Sequence, residues 1–478
     1  MKYGQWELTV PAWISCRTYL FGQEESRTYI SNEKKHNYVL LEGLASDMWY
    51  MLLSGATQRD LNDWAQAKGV AGQTNEFISE LAEQGLICLE EDGGQNGDTQ
   101  KDGGAFYEPF GKDAESDAET HFIEEMQMWL YERGFMFSLF VELTYRCNLK
   151  CVHCYNPKDM PSVKIDFDTC KKAIDDAYEL GCFRVTFSGG EATLHSHFAE
   201  LVHYARSKRM SVDIFTNGQT LARDGEFYLR IMELYPYRIC VSLYSTDKAV
   251  HERVTTVEGS FENTFNLIEK LRRDNANVQI KNFLLNINCG DCINVKNFAK
   301  RLGATSVADI SLIPTIEGDK KTFEYMLDDD ALFKLFANPQ SPLYVGADYK
   351  LFNYEQRKDD SPCLGGFTGL CITPAGEVVV CVSMPLSFGN VNHISLKEIW
   401  RAAEQKNPDS ALYKWRKLRV ADYTQCHKEE FCKFCSFCPG MGYLENGFMK
   451  KSDVLCSQAK AKMKAYFYAK EQSGKDSF

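Results

Sequence analysis

The chain has no apolar run long enough to cross a membrane, so a membrane span is not expected. Its start, MKYGQWELTVPAW, lacks the basic end and apolar stretch of a secretory signal. The expectation is therefore a cytoplasmic protein without a membrane partner. It also lacks an excess of positive charge. The net charge of −12 argues against a nucleic-acid-binding surface. What it has in quantity is cysteine: 18 in 478 residues. In a reducing compartment that number points to metal or redox chemistry rather than to disulfides.

The cysteines are unevenly placed. Cys16, Cys88, Cys170, Cys182, Cys240, Cys289 and Cys292 are scattered. The other eleven fall at 147–154 and 363–456. A length of 478 residues allows two or three domains. Residues 1–92 carry short β-like runs (WELTV, SCRTYLFG, RTYIS, YVLLEG), then helical runs, then LICLE. Thr57 stands before Asp60 in a capping-box-like pattern. This order suggests a small winged-helix-like module. About 91–120 is rich in Gly and acidic residues and is read as a flexible linker, so that 93–134 becomes linker and connecting helix.

From 135 to 315, β-branched runs alternate with amphipathic ones. The strands are expected at FMFSLFVEL, FRVTFS, SVDIFT, RICVSLY, VQIKNFLL and ADISLIP. In FENTFNLIEKLRRDN, Phe265, Ile268 and Leu271 share one helical face. Six strands alternating with helices predict an α/β fold with a parallel sheet, flat or curled into a partial barrel. Active sites in such folds lie beyond the C-terminal strand ends. Residues 316–361 form a bridge, and 362–478 hold the second cysteine group.

Cys147, Cys151 and Cys154 follow the first strand in LTYRCNLKCVHCY. Three thiolates in one tight loop suit a four-iron cube with one iron open. A structural zinc ion would want a fourth ligand. His153 is available, but its neighbour Cys154 makes joint ligation awkward. Here the sequence resembles the radical S-adenosylmethionine family, whose fold is a partial (β/α)6 barrel. Ser188, Gly189, Gly190 and Glu191 match its GGE motif, which binds the methionine amino group, with Glu191 supplying charge. The resemblance implies that Thr216 and Asn217 lie near the ribose. It puts Ser242, His153 and, more weakly, Arg253 with the cofactor. It also implies one-electron cleavage of S-adenosylmethionine and hydrogen abstraction by a 5′-deoxyadenosyl radical. An electron donor such as flavodoxin or ferredoxin is then needed.

Cys363, Cys371, Cys381, Cys426, Cys432, Cys435, Cys438 and Cys456 number eight, enough for two further four-iron clusters or two zinc sites. The run resembles a SPASM domain. Cys363, twelve residues, Gly376, four residues and Cys381 fit its opening. The middle departs from it, with Cx5CxxCxxC in place of CxxCx5CxxxC. The resemblance implies three [4Fe–4S] clusters in all. The division expected is Cys363, Cys371, Cys381 and Cys438 for one auxiliary cluster, and Cys426, Cys432, Cys435 and Cys456 for the other.

Residues 1–92 resemble the leader-binding recognition element of peptide maturases, which adds a peptide strand to a sheet edge. The partner implied is a ribosomally made precursor peptide. The product expected is a crosslink, foremost a cysteine thioether of sactipeptide or ranthipeptide type. Carbon–carbon crosslinking and action on a folded protein, of sulfatase or quinone-cofactor maturation type, are alternatives. A non-enzymatic iron–sulfur regulator with a DNA-binding winged helix is the distant one.

Overall fold

In this computed structural model, residues 6–20, 26–91, 114–157, 159–160 and 162–475 are described. Strands β1 (Trp6–Thr9), β2 (Ile14–Tyr19), β3 (Arg27–Asn32) and β4 (Asn37–Glu42) come first. Helices α1 (Leu44–Leu53), α2 (Gln58–Ala67) and α3 (Gln73–Glu83) follow, then β5 (Cys88–Glu91). β2, β3 and β4 form an antiparallel sheet, and β1 pairs with β5. Thr57 and Asp60 close the expected capping box at α2. Ile14, Ile30, Trp49, Leu61 and Leu86 are fully enclosed in the module's own core.

The expected linker falls largely on residues 92–113, outside the described residues. Its C-terminal part is helical: α4 (Ala114–Glu132) begins inside the run read as linker. Ala, Glu, Met and Leu, all strong helix formers, outweigh its acidity there. Met126 and Leu130 of α4 pack with Tyr19, Tyr29, Phe137 and Phe183.

The main sheet has the order β11-β10-β9-β8-β7-β6-β12-β13. Its parallel strands β6 (Ser138–Glu142), β7 (Arg184–Ser188), β8 (Ser211–Thr216), β9 (Arg238–Ser242), β10 (Val278–Phe283) and β11 (Thr305–Asp309) are the six expected. The last lies a few residues earlier than ADISLIP suggested. β11 is the edge strand, half exposed along its length, and Leu312 and Ile313 instead pack beyond its end. Between the strands run α5 (Phe167–Glu179), α6 (Phe198–Ser207), α7 (Gln219–Arg223), α8 (Gly225–Met232), α9 (Lys248–Thr255), α10 (Ser260–Arg273) and α11 (Cys292–Arg301). Ile268 and Leu271 of α10 are buried as their spacing predicts, and Phe265 stacks on Phe298.

The cysteine-rich part is not a separate body. Its first strand, β12 (Gly369–Ile372), pairs in parallel with β6, with Cys371 opposite Phe140. Gly369 permits this, because a Cβ there would lie 2.8 Å from the Ser138 hydroxyl oxygen. β13 (Val378–Val379) returns antiparallel after a turn at Gly376, whose φ is +87°. The remaining helices are α12 (Asp329–Ala337), α13 (Tyr354–Arg357), α14 (Leu396–Glu404), α15 (Ala411–Lys417), α16 (Pro439–Asn446) and α17 (Asp453–Lys475). Trp400 and Trp415, from α14 and α15, are buried in the same core as the strands.

The N-terminal module is docked on the ends of the strands opposite the expected site. The barrel residues that hold it precede a strand or, like Arg184, which donates to the Tyr38 hydroxyl, begin one. Tyr19 donates to Gly181 O at 2.6 Å, before β7. Cys16 N–H donates to Arg209 O at 2.9 Å, before β8. Arg209 donates to Pro11 O and Val10 O, both at 2.9 Å. The Arg206 guanidinium lies 3.6 Å from Glu33, also bonds Ser15 and Ala12 O, and both charged side chains are almost wholly buried. Burial pushes the Glu33 carboxyl up to about 7, against the pull of Arg206 and two serine hydroxyls. Arg206→Ala should therefore strand Glu33 and cost about 3–5 kcal/mol, as breaking buried pairs does. Urea unfolding of the two proteins checks this, and a loss under 1 kcal/mol would mean the module is not held as described.

Candidate functional site

The loop after β6 crosses the segment after β7 at backbone contact. Gly190 N–H donates to Thr144 O at 2.6 Å, and Glu191 N–H to Arg146 O at 2.9 Å. A Cβ on Gly190 would lie 2.5 Å from Arg146 O and from Tyr145 O. One on Gly189, whose φ is +134°, would lie 2.5 Å from Thr144 O. Glycine is thus required here first for chain crossing chain.

Glu191 is almost wholly buried and ties two strand ends together. Its Oε1 accepts from Thr193 N–H (3.3 Å), the Thr193 hydroxyl (2.6 Å) and the Thr216 hydroxyl (2.7 Å). Its Oε2 accepts from Asn217 N–H at 2.7 Å. Burial pushes this carboxyl up, and the four donors pull it down. Glu191, expected to supply charge near the ligand, lines the cavity and also ties the protein's own loops together. Asn217 in turn donates to Asn148 Oδ1 at 2.7 Å and to Cys147 Sγ at 3.5 Å. The segments after β6, β7 and β8 are one hydrogen-bonded unit.

Together they wall a cavity of about 470 Å³ at the C-terminal strand ends. Cys147, Cys151, Cys154, His153, Ser188, Gly189, Gly190, Glu191, Thr216, Asn217 and Ser242 all line it. Arg253 does not. It donates to Ile287 O at 2.9 Å and braces a loop. His153 stacks on Phe283 at 5.1 Å and stands edge-on to Tyr244. Burial lowers its imidazole to about 4, so it is neutral at physiological pH.

Sequence reasoning missed the opposite wall. Lys281, Asn282, Asp309 and Ser311 line it, with Phe140 and Phe215 meeting edge to face at 5.7 Å. Lys281 Nζ lies 5.2 Å over the Phe215 ring and makes no hydrogen bond or ion pair among the described residues. Burial lowers its ammonium. The signal in the sequence was only one lysine in an otherwise ordinary strand.

The thiols fit a cationic cluster. Burial and their neighbours' charge push Cys147 up to about 11 and Cys151 up to about 12. Such thiols become thiolates only beside compensating positive charge. Among the described residues, no three His, Cys, Asp or Glu side chains close round a single point. A four-iron cube has separate corners and asks its thiolates only to face one space. Cys426, Cys432, Cys435 and Cys456 do so around a second cavity of about 120 Å³. This is the set expected for one auxiliary cluster. Cys363, Cys381 and Cys438 feel one another's charge. Cys371 is buried in β12, lines one cavity with Cys381, and feels the charge of Glu142 and Cys381. Tyr155 lies between the sites. Its hydroxyl donates to Glu142 at 2.9 Å, and it packs against the cluster of Ile313, Met441, Val454 and Leu455 that Cys435 and Cys438 also border.

Residues 141–288 match the radical SAM superfamily, and residues 363–439 match SPASM, an iron–sulfur cluster-binding domain. The chain carries a radical SAM domain and a SPASM domain. An AdoMet-dependent heme synthase of Methanosarcina barkeri is 26% identical over 341 residues, 66% of this chain and 94% of that one. The subtilosin biosynthesis protein AlbA of Bacillus subtilis is 26% identical over 346 residues, 67% of this chain and 70% of its own. Among solved structures, Streptococcus suis SuiB bound to its precursor peptide SuiA covers 94% of this chain and 99% of its own, with TM-score 0.51 and 13% identity. Native anSMEcpe with bound AdoMet covers 72% of this chain and 100% of its own, with TM-score 0.50 and 16% identity. At those identities the structures speak to the fold alone. The radical SAM and SPASM domains support iron–sulfur clusters and S-adenosylmethionine as what these sites hold.

Glu191→Gln tests the clamp. One amide nitrogen then faces a donor that the carboxylate accepted. The expected loss is about 1–3 kcal/mol in urea unfolding, with weaker S-adenosylmethionine binding by equilibrium dialysis. Unchanged stability and binding would show that the clamp does not hold the two loops.

Proposed function

We propose that this chain is a maturase of a ribosomally made precursor peptide, closing a crosslink that is foremost a cysteine thioether. The observation that carries the reading is the single cavity in which the Cys147–Cys154 loop, the Ser188–Glu191 segment, Thr216, Asn217 and Ser242 meet, with the auxiliary thiols on the same side of the sheet. When bound there, a reduced four-iron cluster and S-adenosylmethionine supply one-electron C–S cleavage and a hydrogen-abstracting radical. Cys147, Cys151 and Cys154 would hold that cluster. Gly189 and Gly190 let the thiol-bearing loop lie flush on the segment after β7, while Glu191 keeps both loops in register. Phe140, Phe215 and Leu312 exclude water from the reacting space. Lys281, Asn282 and Asp309 form the wall left for the peptide.

Peptide chemistry draws support from AlbA, named for subtilosin biosynthesis, and from SuiB, solved with a precursor peptide. Residues 1–92 would take the leader as a strand. β2 is engaged at Cys16 by Arg209 O, so the edge assigned to the leader is β4. The docked position of the module changes how delivery works. The peptide must travel at least the length of a barrel strand, about 17–20 Å for five or six residues. The spacer between leader and modified residue then needs at least about six extended residues. Precursors with shorter spacers should bind undiminished yet leave mass spectrometry with no loss of two hydrogens. Modification of a two-residue-spacer peptide would rule out this route.

The matches to heme synthases favour a second reading, action on a small tetrapyrrole. Anaerobic incubation with the precursor peptide and, separately, with a carboxylated tetrapyrrole separates the two. The cluster assignment is checked independently. Reconstituted protein should hold about twelve irons, three cubes of four. Replacing Cys147, Cys151 and Cys154 by Ala should remove about four of them and abolish 5′-deoxyadenosine. Zinc in the C-terminal sites, or cleavage that survives the triple replacement, would refute the assignment.

A further inference from the structure

Cys289 and Cys292 look scattered in the sequence, yet the fold brings them into one constellation. They bracket Gly290 and Asp291 on a helical turn between β10 and α11. Residues three apart on such a turn have Cα atoms about 5–6 Å apart, inside the 4.4–6.8 Å window a disulfide spans. Each sulfur stands differently toward solvent: Cys289 is half-buried, and Cys292 is 3% exposed. A CxxC within a βα unit, its first thiol accessible and its second buried at a helix start, has the form of a redox-active dithiol.

The turn is held from several sides. Asp291 Oδ2 accepts from the Ser245 hydroxyl at 2.6 Å and from Thr246 N–H and O–H. Asn288 donates to Tyr244 O at 2.8 Å and to Phe283 O at 2.9 Å. The position is also particular. Ile287, two residues before Cys289, packs against the same buried cluster of Tyr244, Val254, Leu285 and Leu312 as Cys151 and Val152 of the radical-site loop. Asn282 and Phe283, at the end of the same strand, line the 470 Å³ cavity. The pair thus follows the C-terminal end of β10, the end at which the cavity opens, and packs in the neighbouring core with Leu332 and Phe336 of α12.

We infer that Cys289 and Cys292 form a thiol–disulfide exchange site beside the radical cavity, taking a disulfide-bonded peptide or small disulfide as substrate. Cys289 as thiolate attacks one sulfur of the incoming disulfide and expels the other as a thiol. Cys292 then attacks the Cys289 sulfur and expels the second thiol. The chain's two thiols lose two electrons and two protons, and the disulfide becomes two thiols. Burial raises both thiols, so the attack by Cys289 is slow at neutral pH and quickens as the pH rises. Under the maturase reading the substrate is a disulfide of the cysteine-bearing peptide, freed for crosslinking. The exchange itself is independent of that reading and is tested with glutathione alone.

The full-length protein, with its clusters, is equilibrated anaerobically in buffers from reduced to oxidised glutathione, quenched in acid, alkylated and digested with trypsin. The peptide Asn282–Lys296 contains both cysteines and no other. It should pass from doubly alkylated to an internal disulfide, two hydrogens lighter, without accumulating a glutathione adduct. Cys292→Ser should trap glutathione on Cys289, and Cys289→Ser should leave Cys292 unmodified. The peptide bearing Cys170, buried in α5, reports on folding and should stay a thiol. A peptide still doubly alkylated in oxidised glutathione would overturn the inference. So would Cys170 oxidising in step with it, which would assign the disulfide to an opened chain.

Discussion

The crossing of the Thr144–Arg146 backbone over Gly189 and Gly190 is the contact on which the site depends. Three peptide carbonyls, of Thr144, Tyr145 and Arg146, lie 2.5 Å from where a Cβ would have to be, so the loop bearing Cys147 sits flush on the segment after β7. Glu191 continues the same contact. Its two oxygens take four donors from the ends of β7 and β8, three on Oε1 and one on Oε2, so that Oε2 keeps a lone pair free toward the cavity. Asn217 closes the circuit by reaching back to Asn148 and Cys147. Loops that would each be mobile alone are thereby fixed to one another and to the sheet, and the cavity they enclose has a defined shape before any ligand enters.

The two ends of the strands divide the work. The loops that precede strands carry the N-terminal module, through Gly181, Arg206, Arg209 and Asn275. The loops that follow strands carry the thiols. Strand β12 brings the auxiliary region into the sheet itself, so Cys371 is placed by backbone pairing with β6 rather than by a tether, and Cys381 follows β13, which pairs with β12. Tyr155 then bridges the two thiol regions through its packing and its bond to Glu142. Distances among these centres are set by hydrogen bonds of the sheet, the stiffest part of the molecule.

Much of this was legible in the residues. The CxxxCxxC loop, the glycine pair, Thr216, Asn217 and Ser242 each end or follow a β-branched run, and the six runs proved to be six parallel strands. Cys426, Cys432, Cys435 and Cys456, grouped by the resemblance, line one cavity. Other features were not legible. Lys281 sits in a strand whose pattern looks like any other, and its place on the cavity wall follows only from which way the strand faces. Arg253 looked like a ligand residue because of its position after β9, but α9 turns it toward Ile287 O.

The chain by itself determined its chemistry classes: thiol sets, glycine crossings and alternating periodicity are local, and local spacing decides what a loop can ligate or a strand can bury. Only the tertiary structure decided what each group faces. Glu191 became a clamp, Cys371 a neighbour of Glu142, Cys289 and Cys292 a pair beyond the C-terminal end of β10, and the N-terminal module a cap on the far end of the strands. Each of these depends on contacts between residues tens or hundreds of positions apart, where burial, charge and the direction of a strand are set jointly by segments that carry no record of one another.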